Sequence, residues 1–471
     1  MGGDQNKSGW WKALKRSFDP HNSHIWAKRA SISDGKQLFD TPEIEYQRFA
    51  ADWMATVGGG ITKVVLRHDD DPAEDEDGDG IPDEVQEVGE VLWHHHRTLC
   101  VLFSFYAAID QELHCASSRS ISPFETISHR LKSTHVARSD PASMLADLHL
   151  NAWTQFAKDF HLTSNSSKFC KQSDIDRLFI AVDSASKHQE KEALREAAKR
   201  GDRPNRAILE DKSNALSRNE FLTALVHLAI NKYVQTKMES DVSQALERLI
   251  GVDITSQLTP AFAHPDSFRR AYLYSKPVAQ VFEFHEASLR RMFNAIAMSG
   301  GGKTQTVDMK EWLASLRALD LIGTDITERE GVLCFVWSRL AVTETMSLRG
   351  MIKDSTLHFE GWLEALARLA CHKALPTCKE IRDLGCMTTG QYFDRMHETD
   401  EAALLTMLAE RTTEWGDVPS NQPFFHTLSH MLELIIHRIE RMLGATDGGD
   451  MQITEAEMAR FLKQYTVDSA H

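Results

Sequence analysis

The feature that most constrains this chain is one stretch that occurs twice. LSRNEFLTALVHLAINKYV runs from Leu216 to Val234, and LHFEGWLEALARLACHKAL runs from Leu357 to Leu375. Aligned without gaps, Phe221 meets Trp362, Leu225 meets Leu366, Leu228 and Ala229 meet Leu369 and Ala370, and Lys232 meets Lys373. In both copies the apolar residues fall at i, i+4, i+7 and i+8, the stripe of an amphipathic helix. A second pair lies upstream, VLWHHHRTLCVLFSFYAA from Val91 and VFEFHEASLRRMFNAIAM from Val281. There His95, Leu99, Phe103 and Ala107 match His285, Leu289, Phe293 and Ala297. Two matched segments in the same order predict an all-α chain built from a duplicated helical module. The first copy carries 49 residues more between its segments than the second.

Composition narrows the class. A length of 471 residues corresponds to about three domains. No apolar run approaches the roughly 18 residues a membrane span needs, and the start, MGGDQNKSGWW, has no apolar signal region. A myristoylation pattern at Gly2 fails because Asn6 stands where Ser or Thr is wanted. Seven cysteines without close pairs are expected to be reduced thiols in a cytoplasmic protein. A net charge of −15 argues against nucleic acid as the partner, because phosphate binding needs a basic field.

The chain divides by pattern. Residues 1–60 begin with a basic, aromatic segment in which Lys7, Lys12, Lys15, Arg16, Lys28 and Arg29 surround Trp10, Trp11 and Phe18. Lys12, Lys15, Arg16, Trp10 and Trp11 suit docking onto an acidic surface, either a cytoskeletal protein lattice or anionic lipid. The other reading is that the tryptophans pack back onto the body. Residues 61–87 read as an acidic linker containing DEDGDGIPDEVQ. In it Asp75, Asp77 and Asp79 alternate, Gly80 allows a turn and Asp83 follows, so oxygen ligands can converge on a hard cation such as Ca2+. Residues 88–252 form module one, including the charged insert HQEKEALREAAKRGDRPNR, and residues 276–376 form module two. Residues 377–471 read as a C-terminal helical region with a strong helix from Phe424 to Leu443.

The modules resemble the EF-hand superfamily, whose ion loop carries an aliphatic residue at its eighth position and Glu at its twelfth, followed by an apolar helix start. Leu216, Glu220 and Phe221 match that end of the pattern, as do Val307, Glu311 and Trp312. Ile121 with Glu125, and Ile453 with Glu457 and Met458, match it too. The resemblance implies that each module is a pair of EF-hands, with a fifth such segment near the C-terminus. The early loop positions depart from it: Gly300, Gly302 and Thr304 stand where carboxylates belong, and Gly361 replaces a closing Glu. The retained glutamates also lie three residues after Ser217, Asp308 and Thr454, the spacing of a capping box. One carboxylate cannot hold an ion that takes six to eight oxygens, so capping is the preferred reading for these loops. The loop from Thr446 to Glu457 keeps Asp450, with Asp447 nearby. The Asp75 loop is closest to the thrombospondin type 3 pattern, although Pro82 and Gln86 depart from an EF-hand. Candidate metal ligands are therefore Asp75, Asp77, Asp79, Asp83, Asp450 and Glu457, for weakly held Ca2+. The FxxALxxLA helices are similar to uncharacterised EF-hand-like proteins of flagellated protists, some cytoskeletal, which implies a location at the cytoskeleton or cilium.

Other motifs carry less. AMSGGGKT from Ala297 fits a loose phosphate-loop pattern, but Leu289, Met292, Phe293 and Ile296 make the preceding segment helical where a strand is required. Cys371, His372, Cys378 and Cys386 lack the close cysteine pair of a zinc site. His94, His95 and His96 point to different helix faces, so at most one can ligate. No nucleophile–base pattern is visible. The chain is expected to be a non-catalytic structural or interaction protein with protein partners; the alternative is a calcium-responsive regulator acting through the Asp75 or the Thr446 loop.

Overall fold

The computed structural model describes residues 18–68, 75, 78, 80–116, 147–200, 214–258, 262, 265–299, 305–323, 325–344, 347–411, 413 and 418–442. Helix accounts for 72 % of the structure and strand for 2 %, an all-α protein. Where sequence length suggested about three domains, the chain forms two compact units. Unit 1 takes residues 1–41, 259–342 and 356–471; unit 2 takes residues 42–258 and 343–355. The described part of segment 1–60 is thus divided, residues 18–41 in unit 1 and 42–60 in unit 2, and the described residues from 377 to 442 belong to unit 1.

In chain order the elements used below are α1 (Ala27–Ile32), α2 (Pro42–Gly58), α3 (Ile61–His68), α4 (Asp83–Ala116), β1 (Leu148–His149), α5 (Leu150–Asp159), α6 (Gln172–Arg200), β2 (Ala215–Leu216) and α7 (Arg218–Ala229). They continue as α8 (Lys276–Ser299), β3 (Val307–Asp308), α9 (Met309–Ala318), α10 (Glu328–Ser338), β4 (Thr356–Leu357), α11 (Phe359–His372) and α12 (Phe424–Met442).

In unit 2, β1 pairs antiparallel with β2, Leu148 opposite Leu216. Each strand opens a helix, α5 after β1 and α7 after β2. Phe221, buried along with Leu222, Leu225 and Leu228, meets Phe103 of α4 and Trp153 of α5, with ring centroids 5.7 and 6.1 Å apart. Full burial of such side chains is worth about 1.5–3 kcal/mol each. The indole N–H of Trp153 donates to the carbonyl of Ile175 on α6. α5 ends with Leu162 N–H on Ala157 C=O and His161 N–H on Lys158 C=O, with His161 left-handed at φ 53°. This is a Schellman cap built on a residue other than glycine.

In unit 1, β3 pairs antiparallel with β4, Val307 opposite Leu357, and α9 and α11 follow them. Phe293 of α8 meets Trp362 of α11 at 5.7 Å, and Trp312 donates its indole N–H to the carbonyl of Gly331 on α10. α9 ends with Leu321 N–H on Leu316 C=O and Asp320 N–H on Arg317 C=O, with Asp320 at φ 50°. α12 packs on α8 and α11. A satellite core of Ile381, Cys386, Tyr392, Leu404 and Met407 sits among the helices between α11 and α12.

Several sequence-based boundaries move. Residues 61–87 are not a linker throughout: α3 buries Ile61 and Val65, and α4 begins at Asp83. The basic N-terminal segment does not extend to Arg29, because Ile25, Trp26 and Arg29 are core residues of unit 1 at 1 %, 0 % and 3 % exposure. Lys7, Lys12, Lys15, Arg16, Trp10 and Trp11 lie outside the described residues, as do Ile121 and Glu125. The strand that pairs with β2 is Leu148–His149, so Leu148 holds the place that the sequence pattern assigned to Ile121.

Candidate metal centre

The polar cluster in unit 2 grows from two helices that are apolar on their inner faces. α4 buries Val85, Val88, Leu92, Leu99, Leu102 and Phe103. His96 follows Leu92 by four positions and precedes Leu99 by three, so it shares their face and is 2 % exposed. Cys100, one turn further, follows it inward. α2 buries Ile44, Phe49, Trp53 and Thr56, which draws Asp52 inward beside them. Gly89 permits the approach of α2 to α4: a Cβ there would stand 2.8 Å from Cε2 of Trp53.

The result is a chain of charges. His96 Nε2 lies 3.0 Å from Asp52 Oδ2 and 3.4 Å from Cys100 Sγ. Arg218, at the start of α7, donates Nε to Asp52 Oδ2 at 2.6 Å and Nη2 to Oδ1 at 2.9 Å. Asp354 lies 3.6 Å from Arg218 Nη1 and accepts from Arg48 Nη2 at 3.1 and 3.2 Å. Burial alone would raise the Asp52 pKa, but the charge of Arg218 and the hydrogen bonds from His96 and Arg218 hold it well below the carboxylate range. Burial likewise opposes ionisation of Cys100, yet His96, Arg48 and Arg218 lower its thiol to about 7. His96 is penalised by burial, but the Cys100 charge and the Asp52 hydrogen bond raise it above its ordinary value. The three donor atoms, an oxygen, a nitrogen and a sulfur, lie within 4.8 Å of one another.

Of the candidate ligands read from sequence, Asp75 and Asp83 are described and Asp77, Asp79, Asp450 and Glu457 are not. Asp75 accepts from the amides of Gly78 at 2.9 Å and Gly80 at 3.2 Å, and both glycines have positive φ. Asp83 sits in the first turn of α4, where a carboxylate favours the helix dipole. Glu220 accepts from the Ser217 amide at 2.6 Å and hydroxyl at 2.7 Å. Glu311 accepts from the Asp308 amide at 2.9 Å, while Asp308 accepts from the Glu311 amide at 2.8 Å. Both loop-closing acids are thus engaged in capping their helices.

Unit 1 holds a second buried ionic group. Glu364 of α11 accepts from Arg29 Nη2 at 2.7 Å, Arg269 Nε at 2.9 Å and Arg368 Nη2 at 2.7 Å. Arg29 and Arg269 also donate to Ser338 and Trp337 carbonyls at the C-terminal end of α10. Elsewhere in unit 1, Cys378 Sγ lies 3.5 Å from His430 Nε2, whose Nδ1 is 2.9 Å from the carbonyl of Pro376. Sequence reading missed Asp52, Cys100, Arg218, Arg269, Glu364 and Arg368. The available signal was the charged pair Glu364 and Arg368, four apart within the apolar stretch from Trp362 to Cys371, and His96 with Cys100 at the same spacing.

No family model, curated protein or solved structure matches the chain. No described helix is long and apolar enough to cross a membrane.

Proposed function

We propose that this chain is a non-catalytic interaction protein whose two units each contain one EF-hand-like pair used as a structural frame. The observation that carries the reading is the matched architecture. In each unit a two-residue antiparallel ladder joins two strand-to-helix turns, and the aligned aromatics meet at the same 5.7 Å separation. The caps after His161 and Asp320 repeat the same hydrogen-bond pattern at the end of the first strand-led helix. With Glu220 and Glu311 closing capping boxes, these loops hold helices in place and do not offer a bidentate acid to calcium. A frame of this kind presents helix faces to a protein partner. The basic segment from Lys7 to Arg16, with Trp10 and Trp11, supplies complementarity to an acidic surface such as a cytoskeletal lattice.

Calorimetric titration of the full chain with Ca2+ tests the frame against the calcium-responsive alternative. The expectation is no site tighter than about 10⁻⁵ M, and a loss of about 1 kcal/mol of stability in calcium-free buffer for Asp308→Ala, which removes the N-cap oxygen. A tight site that Glu311→Gln or Asp75→Asn abolishes overturns the reading and makes the protein a calcium sensor.

A further inference from the structure

The geometry points to a zinc-type transition-metal site in unit 2, with Asp52, His96 and Cys100 as its protein ligands. Divalent zinc binds oxygen, nitrogen and sulfur donors at about 2.0–2.3 Å, which sets neighbouring donors roughly 3.3–3.7 Å apart in a tetrahedron. The observed spacings, 3.0 Å between Asp52 Oδ2 and His96 Nε2 and 3.4 Å between His96 Nε2 and Cys100 Sγ, are within a few tenths of an ångström of that figure. All three donor atoms lie within 4.8 Å of one another. Calcium and magnesium are excluded as natural occupants by the thiol and imidazole, since both prefer an all-oxygen shell. Three protein donors leave the fourth tetrahedral position to water or another small ligand.

The surroundings supply what such a site needs. His96 and Cys100 are one turn apart on α4, so the helix fixes their separation. Asp52 is oriented by two hydrogen bonds from Arg218, one to Oδ1 and one to Oδ2 itself, and ligating carboxylates are commonly hydrogen-bonded in this way. The guanidiniums of Arg218 and Arg48 both oppose a cation, and Asp354, bonded to Arg48 and 3.6 Å from Arg218, offsets one of these two charges. Two anionic ligands, Asp52 and the Cys100 thiolate, cancel the charge of a divalent ion. Ligation by His96 Nε2 and Cys100 Sγ requires each atom to give up any proton it carries, and whatever protons they carry leave to solvent as the ion binds.

The test uses the full chain, stripped with a chelator under reducing conditions and titrated with Co2+, whose thiolate complexes absorb by sulfur-to-cobalt charge transfer. The expected result is a charge-transfer band saturating at about one Co2+ per chain, the stoichiometry of a single site. Zinc should displace it, and native mass spectrometry should show one bound zinc. Cys100→Ala should lose both signals, while Cys170→Ala, a buried thiol elsewhere in unit 2, should keep them. If Cys100→Ala does not fold, zinc K-edge absorption on the wild-type protein decides. A shell with one sulfur and lighter donors supports the site, and a shell without sulfur overturns it. Absence of the band from folded wild-type protein, or its survival in Cys100→Ala, also overturns it.

Discussion

Replacing Glu364 with Gln is the sharpest perturbation that the structure of unit 1 offers. Glu364 is fully buried, and its carboxylate is shared among Arg29, Arg269 and Arg368, exposed by 3 %, 0 % and 5 %. Burial alone would push its pKa up, but these three guanidiniums hold it below the ordinary range, so it is ionised at neutral pH. Gln preserves the volume, and no cavity forms. The cost is therefore electrostatic: three guanidiniums that cannot give up a proton lose their common counter-charge, leaving Asp266 on Arg269 alone. Removing one partner of a buried pair costs about 3–5 kcal/mol. Hydrogen exchange read by mass spectrometry on peptides from residues 359–372 follows unit 1 separately from unit 2. At 1.4 kcal/mol per factor of ten, exchange through global opening should be faster by roughly 10²- to 4 × 10³-fold. Glu286→Gln is the control, since its partner Arg290 is 41 % exposed and such pairs are worth at most about 1 kcal/mol. If the two variants exchange alike, the three-arginine group carries no net electrostatic stabilisation and the reasoning is wrong.

Two further outcomes follow from buried groups. His372, 3 % exposed, is driven down by burial to a pKa of about 4, against an ordinary 6.5. Because the unfolded chain takes up a proton that the folded chain refuses, its contribution is full above pH 6.5 and is lost as pH falls towards 4. That loss reaches about 3 kcal/mol. Stability measured across that window should fall less steeply in His372→Gln, and parallel curves for the two proteins would contradict it. Deleting residues 1–17 should release the protein from its partner in added-back extracts without lowering its melting temperature. Deleting residues 1–30 should lower the melting temperature as well, since it removes Trp26 and Arg29 from the core. Equal melting temperatures for the two truncations would refute that assignment.

The helices of the fold were legible in the residues themselves. The apolar stripes around Phe221 and Trp362 fall on α7 and α11, since a stripe at helical spacing must be buried to be stable. What pattern could not place was the partner of each loop. Ile121 and Leu148 both precede plausible helix starts, and only the antiparallel register opposite Leu216 decides between them. Charged residues misled in a different way. Lys28 and Arg29 sit together in a basic run, and nothing local distinguishes the exposed lysine from the arginine that enters the core to meet Glu364, 335 positions away in sequence. The Asp52–His96–Cys100 cluster was hidden for the same reason: its third member comes from another helix, brought close by a glycine, Gly89, that reads as unremarkable in a helical pattern.

The proposed duplication separates two kinds of information in the chain. At matched positions the apolar contacts agree: Leu99 and Leu289 are both 1 % exposed, and Phe103 meets Phe221 as Phe293 meets Trp362. The polar positions do not agree. His96 aligns with Glu286 and Cys100 with Arg290, which pair with each other on the surface of unit 1. Thr223 aligns with Glu364, the centre of the arginine group. Apolar packing tolerates many substitutions of similar volume, so it can preserve a topology while the sequence drifts. A buried charge is tolerated only together with its partners, so each such group must arise as a set. On the proposed duplication, the two units share a frame through their aromatics and differ in chemistry through their buried ions. It is in unit 2, with an oxygen, a nitrogen and a sulfur donor converging within 4.8 Å, that this difference gives a ligand set suited to a metal.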